Sequence, residues 1–306
     1  MTGTGRVGVV VMAYGTPARP EDVEAYYTHI RRGRPPTPEL LAELTARYDA
    51  IGGISPLAHR TRAQLDAIAH ALDAAEPGRF VVVLGQKHAA PFVEDGVAAL
   101  AATGVDRVVG LVLAPHYSGF SVGQYHERAA AAAAGSGLAF TGIRCWHLEQ
   151  AFVAHQAASV RERLAELPER TKVVFTAHSL PERVLVDDPY PDELRESAEA
   201  IATKAGLGRW AGWGLGWQSA GRTPEPWRGP DVLEIIRDLA GTGRAAGILV
   251  VPQGFTSDHL EVLYDLDIEA AAVAAEVGLD FARTDVVNDD PAVMSALAEL
   301  VREATT

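Results

Sequence analysis

The sequence is short of several things, and each shortage closes off a class of explanation. One cysteine, Cys145, stands among 306 residues. A single thiol closes no disulfide within the chain and builds no all-cysteine metal cluster. It suits a reducing compartment, so the expected location is cytoplasmic. Positive charge is in deficit: 27 Lys+Arg face 40 Asp+Glu, a formal net charge of −13. Nucleic-acid binders carry a basic footprint and proteins docked on anionic membranes a basic patch, so neither partner is expected. No apolar run approaches the roughly 20 residues of a membrane span. The first run, Val7–Ala13, is too short and lacks the flanks of a signal peptide. There is no G-x-G-x-x-G turn after a strand, no Walker A loop and no G-x-S-x-G elbow around Ser219. Nucleotide binding and serine hydrolysis are therefore not expected either.

What is present is a chain able to fold around a large core. Hydrophobic residues make up 48%, which excludes disorder as the main state. Short runs, apolar on nearly every residue, recur at Val7–Ala13, Phe80–Gly85, Val108–Ala114, Val173–Ala177, Gly212–Trp217 and Ala246–Val251. Such runs suit strands buried on both faces of a parallel sheet. Between them lie helix candidates: Pro20–Ile30, Pro38–Ile51, Arg60–Ala75, Val93–Ala102, Ser121–Ala134, Gln150–Leu167, Pro191–Ala205, Pro230–Leu239, Leu260–Val277 and Pro291–Ala304. The alternation implies an α/β fold. A weak repeat suggests two similar halves. Ala13-Tyr14-Gly15-Thr16-Pro17 resembles Ala177-His178-Ser179-Leu180-Pro181, and Val112–Pro115 resembles Leu249–Pro252. The expected organisation is two Rossmann-like lobes, 1–150 and 151–306, with the final helix able to pack back on the first.

Ligands in open α/β sheets bind beyond the carboxyl ends of strands. Tyr14, His116, His178 and the segment Gly254–Glu261 all follow predicted strands. A histidine in that position is a base near neutral pH, a metal ligand, or a ring tied to a loop carbonyl. Glu261 has two readings. With Asp258 three residues earlier it forms a helix-capping pair. With Asp265 and Glu269 it forms a carboxylate row along one helix face, suited to a divalent cation. Tyr26–Arg34 is a basic cluster in an acidic chain, followed by Arg47-Tyr48 and Gly52–Pro56. Arg forks pair with carboxylates or phosphates, so the cluster either attracts an anionic substrate or is a solvated helix end. Trp217–Pro230 is a long polar-aromatic loop in which Trp227 walls an aromatic ligand or plugs the sheet edge. Cys145 beside Trp146 reads as buried filler.

These residues, in this order, resemble the ferrochelatases, and within them the coproporphyrin branch of Gram-positive bacteria. The resemblance runs from Val10 to the last helix. It is carried by Met12–Pro17, Tyr26–Arg34, Gly52–Pro56, Ala114–Ser118, Thr176–Pro181, Trp217–Pro230 and Gly254–Asp265. It implies a chelatase-like fold of two lobes and insertion of Fe2+, as a substrate, into coproporphyrin III with release of two pyrrole protons. By the same resemblance His178 and Glu261 match the catalytic and metal-binding pair, and Asp265 and Glu269 an acidic metal row. Tyr14, Arg31, Arg47, Tyr48, Ser55 and Tyr125 match substrate contacts, with Trp227 added from its loop. Some relatives carry an iron–sulfur cluster on four cysteines; with Cys145 alone this chain resembles those without one. No nucleotide is implied. The expected partners are coproporphyrin III, ferrous iron and, transiently, the next haem-pathway enzyme, with a monomer as the working form. A protoporphyrin IX ferrochelatase, a cobalt chelatase and a non-catalytic haem or metallophore carrier remain as alternatives.

Overall fold

The computed structural model describes residues 5–208 and 212–305. The chain divides into two compact units, Met1–Ala114 with Phe120–Cys145 and Asn288–Thr306, and Pro115–Gly119 with Trp146–Val287. The first unit holds the strands β1 (Val7–Ala13), β2 (Phe80–Gln86), β3 (Arg107–Val112) and β4 (Ala139–Ile143), all parallel, in the order β2-β1-β3-β4. Around them lie α1 (Val23–Ile30), α2 (Pro38–Ala50), α3 (Leu57–Ala75), α4 (Val93–Ala102), α5 (Gln124–Gly135) and α11 (Pro291–Glu303). The second unit holds β5 (Thr171–His178), β6 (Trp213–Gln218), β7 (Gly247–Val251) and β8 (Asp280–Arg283), again parallel, in the order β6-β5-β7-β8. Its helices are α6 (Gln150–Leu164), α7 (Tyr190–Ala205), α8 (Val232–Thr242), α9 (Leu260–Leu263) and α10 (Ala271–Glu276). No helix among the described residues is long and apolar enough to cross a membrane.

The elements form where local chemistry and burial agree. β1 is buried at every residue, as a Val-rich central strand covered on both faces should be. α8 begins with Asp231, whose carboxylate accepts from Leu233 N at 2.8 Å while Glu234 reaches back to Asp231 N at 3.1 Å. It ends on Gly243 at φ +62°, a left-handed turn that glycine adopts without a Cβ clash. Its inner face, Val232, Ile236 and Leu239, packs with Ile248 and Val250 of β7 and Leu266 into one core.

The six strands expected from sequence are present with small shifts of boundary. β4 and β8 were not expected. Both are short edge strands with only partial burial, and polar or small residues interrupt them, so no continuous apolar run marks them. The long helix expected over Leu260–Val277 is interrupted. Between α9 and α10 the segment Asp265–Ala270 is π-helical, and Tyr264 O accepts from both Ile268 N (3.3 Å) and Glu269 N (2.9 Å).

The internal repeat is visible in the strand order, which is the same in both units. Gln86 N donates to Pro91 O at 2.7 Å, and Trp217 N to Pro230 O at 3.0 Å. Pairing these positions sets Ala13, the partner of Gln86, against Ala177, the partner of Trp217. Tyr14 is then the counterpart of His178, as the first sequence match has it. The second match needs correction. Val11 pairs with Leu111 and its counterpart Phe175 pairs with Val251, so Leu111, not Ala114, corresponds to Val251.

The carboxyl end of β5 is packed without slack. A Cβ on Gly254 would lie 2.5 Å from Ala177 Cβ and 2.8 Å from Ala177 Cα. Gly254→Ala is therefore expected to push two chain segments apart beside His178 and to cost about 1–3 kcal/mol in urea denaturation. A variant as stable as the parent would show that this contact is not tight.

Candidate functional site

Three strand ends supply the site in the second unit. β5 ends on His178, β6 on Gln218, and the loop after β7 carries Gly254 to His259 into α9. His178 Nε2 lies 3.5 Å from Glu261 Oε1, and each side chain is about one-third exposed (35% and 34%). His178 Nδ1 donates to Ser179 O at 2.5 Å, which leaves Nε2 as the atom facing Glu261. His259 repeats this on the other side. Its Nδ1 donates to Ser257 O at 3.0 Å, and its Nε2 lies 3.5 Å from Glu261 Oε2. One carboxylate is thus flanked by two imidazoles whose far nitrogens are tied to the backbone.

The neighbouring residues fix that carboxylate in place. Gln218 Nε2 donates to Glu261 O at 2.9 Å, while Gln218 Oε1 accepts from Thr176 Oγ1 at 2.9 Å. Ser219 sits in the left-handed region at φ +59° and donates its hydroxyl to Asp265 Oδ2 at 2.5 Å. Trp227 is half-buried in its loop, with Nε1 donating to Thr223 Oγ1 at 2.9 Å. That loop is fastened to the strand end: Ser179 Oγ donates to Arg228 O (2.8 Å) and Arg228 N to Leu180 O (2.9 Å).

The electrostatics follow from this crowding. Burial alone would press the His178 pKa down. The charge and hydrogen bond of Glu261, the Ser179 carbonyl and the charge of Asp265 outweigh it and raise it to about 9. Burial pushes the Glu261 carboxyl up, but the charge of His178 and hydrogen bonds from His178 and His259 hold it well below the ordinary carboxylate value. His178 Nε2 and Glu261 together offer an imidazole nitrogen and a carboxylate, a borderline donor pair suited to a ferrous ion, while His259 contacts only the other oxygen of Glu261.

Several sequence expectations change here. Glu261 does not close a capping pair with Asp258: the residue capping α9 is His259, with no side-chain cap bond, and Asp258 pairs instead with Arg283 at 3.3 Å. Glu261, Asp265 and Glu269 do not follow a plain α-helical row, because the wider π turn intervenes; Asp265 is buried against Ser219, and Glu269 bears on Asp231, whose pKa burial first, and Glu269 with it, raises. His116 belongs to a buried network, sharing a 2.7 Å hydrogen bond with Ser197 Oγ. His259, Gln218 and Ser219 take part in the candidate site although sequence reasoning gave them no role there, Ser219 having been weighed only as a hydrolase nucleophile. For His259 the signal was its place two residues before Glu261.

In the first unit the expected substrate residues fall into local groups. Tyr14, 44% exposed beyond β1, packs at a tilt against His88 with ring centroids 4.6 Å apart. His88 Nδ1 is 3.0 Å from His29 Nδ1. Tyr125 is buried in the first turn of α5, with Lys87 Nζ 5.2 Å from its ring centre; burial chiefly, then Arg128 and Arg32, lowers the Lys87 pKa to about 8. Arg31 closes α1, its Nε donating to Arg34 O at 3.2 Å and its guanidinium 5.6 Å from the Tyr27 ring centre. Arg47 and Tyr48 lie on α2, where Tyr48 is buried and its carbonyl accepts from Gly53 N at 2.8 Å. Ser55 is buried, its hydroxyl accepting from Leu57 N at 3.2 Å.

The family model described as Ferrochelatase matches residues 6–305. The chain is 45% identical to the coproporphyrin III ferrochelatase of Anoxybacillus flavithermus over 302 residues, covering 96% of this chain and 95% of the relative. It is 45% identical to the protein of that name from Bacillus subtilis, covering 97% of each. For the Listeria innocua protein of that name the identity is 43%, covering 99% of each. Among solved structures, SirB from Bacillus subtilis with Fe3+ aligns with a TM-score of 0.59 at 14% identity, covering 98% of this chain and 96% of SirB. CbiX, described as the terminal enzyme for biosynthesis of siroheme in denitrifying bacteria, aligns with a TM-score of 0.51 at 14% identity, covering 97% and 98%. These two likenesses bear out the chelatase-like fold.

The raised pKa of His178 has a testable sign. The pair contributes stability below the ordinary histidine value of 6.5 and loses it as pH rises through about 9. NMR titration of the metal-free protein is expected to show His178 protonated up to about pH 9. Glu261→Gln should lower that midpoint, because burial then works against a smaller opposing field. A wild-type midpoint at the ordinary value would contradict the geometry.

Proposed function

The chain belongs to the ferrochelatase family, and on that premise we propose that it inserts Fe2+ into coproporphyrin III, giving iron coproporphyrin III and two protons. It is a metal chelatase of the lyase class. The curated relatives, at 43–45% identity over nearly their whole length, support coproporphyrin III as the substrate. The observation that carries the reading is the His178–Glu261 contact of 3.5 Å at the carboxyl end of β5.

The chemistry asks three things of the protein: hold ferrous iron without keeping it, accept pyrrole protons, and bind a porphyrin through its carboxylates. His178 Nε2 and Glu261 meet the first demand. A mixed nitrogen and oxygen donor set binds Fe2+ less firmly than the porphyrin's four nitrogens do. In the resting state His178 is an imidazolium paired with Glu261, so arriving iron displaces a proton. Once iron passes to the macrocycle, Nε2 accepts one pyrrole proton and the same ion pair re-forms, while the second pyrrole proton leaves to solvent; with the proton displaced on iron arrival, two protons are released per turnover. The Nδ1 bond to Ser179 O holds the ring in one orientation throughout. His259 presents a second imidazole to the same carboxylate. Asp265, buried against Ser219, and the half-buried Glu269 add negative charge along the path by which a cation approaches.

For the porphyrin we propose Arg31, Arg47, Tyr48, Ser55 and Tyr125 as contacts in the first unit, Tyr14 as the residue that approaches the iron of the product, and Trp227 as an aromatic wall. Contacts to peripheral carboxylates can offset distortion of the ring, which exposes the nitrogen lone pairs. Four propionates make coproporphyrin a better match for such contacts than the two of protoporphyrin. Ferrous iron enters as substrate, and neither an iron–sulfur cluster nor a nucleotide has a part in the proposal. A cytoplasmic monomer that passes its product to the next haem-pathway enzyme completes the reading.

Anaerobic assays with Fe2+ are expected to show faster metallation of coproporphyrin III than of protoporphyrin IX; equal rates, or no rate above the uncatalysed one, would overturn the substrate assignment. His178→Ala should slow insertion by about 100-fold or more. Its affinity for metal-free coproporphyrin III, read by absorbance titration, should stay within about threefold, since the residue binds iron rather than the ring's carboxylates. Normal turnover in that variant would remove His178 from the mechanism.

A further inference from the structure

The short helix that presents Glu261 has little holding it from within. α9 is four residues long, its N-terminus lacks a side-chain cap, and it runs directly into the π-helical turn Asp265–Ala270. Such turns are weakly bonded, and their rotation is set by what lies outside them. Two outside attachments are visible. On one side the end of β6 holds the segment, through Gln218 to Glu261 O and Ser219 to Asp265. On the other, the end of β8 holds it through Arg283. Arg283 Nε and Nη2 fork onto Asp267 Oδ1 and Oδ2 at 2.6 and 2.8 Å. Nη2 also reaches Asp258 Oδ1 at 3.3 Å, and Nη1 donates to Thr284 O at 3.2 Å. The Arg283 side chain is 14% exposed and that of Asp258 17%, so their contact is largely sheltered from water.

The two attachments lie at opposite edges of the sheet, β6 and β8, and grip opposite faces of the segment. Asp265 and Asp267 are two residues apart, which places them roughly 160–200° apart around a helical axis. Asp265 therefore faces the site while Asp267 faces away from it. Asp258 precedes Glu261 and Asp267 follows it, so a single guanidinium fixes both ends of the stretch that carries the carboxylate. We propose that Arg283 is a positioning residue for Glu261, holding residues 258–267 in the rotation that turns Glu261 toward His178 and Asp265 toward Ser219. The proposal rests on the reading of His178 and Glu261 as the iron-handling pair. It assigns Arg283 no contact with substrate. The fork is what the task requires: a lysine ammonium is a point charge and does not span Asp267 and Asp258 with planar geometry.

The test compares Arg283→Lys, Arg283→Gln and Asp267→Asn with the wild-type chain. For each, thermal denaturation reports folding and absorbance titration reports affinity for metal-free coproporphyrin III. Co2+ titration without porphyrin, followed by its visible absorption bands, reports the metal site. Steady-state assays give KM for Fe2+ and kcat. The expected result is porphyrin affinity within about threefold of wild type, KM for Fe2+ raised about tenfold or more, and weakened, altered Co2+ binding. Arg283→Lys should fall between wild type and Arg283→Gln. Arg283→Gln combined with Asp267→Asn should be little worse than Arg283→Gln alone, because the arginine substitution already removes the Asp267 pair. If Arg283→Gln does not fold, Arg283→Lys and Asp267→Asn decide the matter. Folded variants with unchanged Fe2+ KM and Co2+ binding overturn the proposal. So does an equal loss of porphyrin and metal affinity, which marks a merely structural residue. A wild-type chain that fails to metallate coproporphyrin, while its Co2+ site still responds to Arg283→Lys, overturns the proposed function and leaves the positioning role standing.

Discussion

The hydrogen bond from His178 Nδ1 to the Ser179 carbonyl decides what the rest of the site can be. It commits one ring nitrogen to the backbone and leaves the other for the proposed chemistry. Glu261 meets that nitrogen from the far side of the sheet end, and His259 meets Glu261 in the same manner. With both imidazoles anchored, the carboxylate has little choice of partner in the absence of a cation. The close approach of Gly254 to Ala177 serves the same end, because any side chain there would separate the loop bearing Glu261 from the strand bearing His178. Packing at one glycine and hydrogen bonding at one histidine thus converge on a single distance.

The fold was legible wherever burial on both faces left its mark on the sequence. β1, β3, β5 and β7 are continuous apolar runs because each lies inside its sheet. β4 and β8 escaped because polar or small residues break their short runs: Thr141 and Gly142 in one, Asp280 and Arg283 in the other. Edge position alone does not hide a strand, since β2 and β6 also lie at sheet edges and are apolar enough to be read. The interruption after α9 also left no trace in periodicity, since a single wide turn shifts the helical phase without changing which residues are apolar. The repeat was readable in the ring-bearing turns, Tyr14 and His178. It was misread in the later strands, where runs of Val and Leu align equally well at several offsets.

The site was legible in part for a similar reason. His178 and Glu261 stood out because a histidine and a carboxylate after strands have obvious chemistry. Gln218 and Ser219 did not, since their importance lies in which backbone and carboxylate atoms they reach after folding. Lys87 shows the same limit. Nothing in its sequence neighbours suggests a lysine lodged over the ring of Tyr125. Asp258 was misjudged because capping by an acid three residues before a glutamate is the commoner pattern; here a long-range arginine outcompetes the local helix end.

On the proposed reading of His178 and Glu261, the distribution of acids around Glu261 explains how the site would hold iron without trapping it. Five acidic residues fall between positions 258 and 269: Asp258, Glu261, Asp265, Asp267 and Glu269. If all five faced one cavity, they would form a hard, highly charged cage of the type that retains divalent cations. They do not act together. Arg283 engages Asp258 and Asp267 on the outer face, and Ser219 occupies an oxygen of Asp265. Glu261 is left to share its charge with two imidazoles. The net effect is a donor set of modest charge in which protons compete with metal, and such competition favours transfer over storage. An acidic chain of net charge −13 could attract cations over much of its surface. What makes this place different is less its negative charge than the neighbours that limit it.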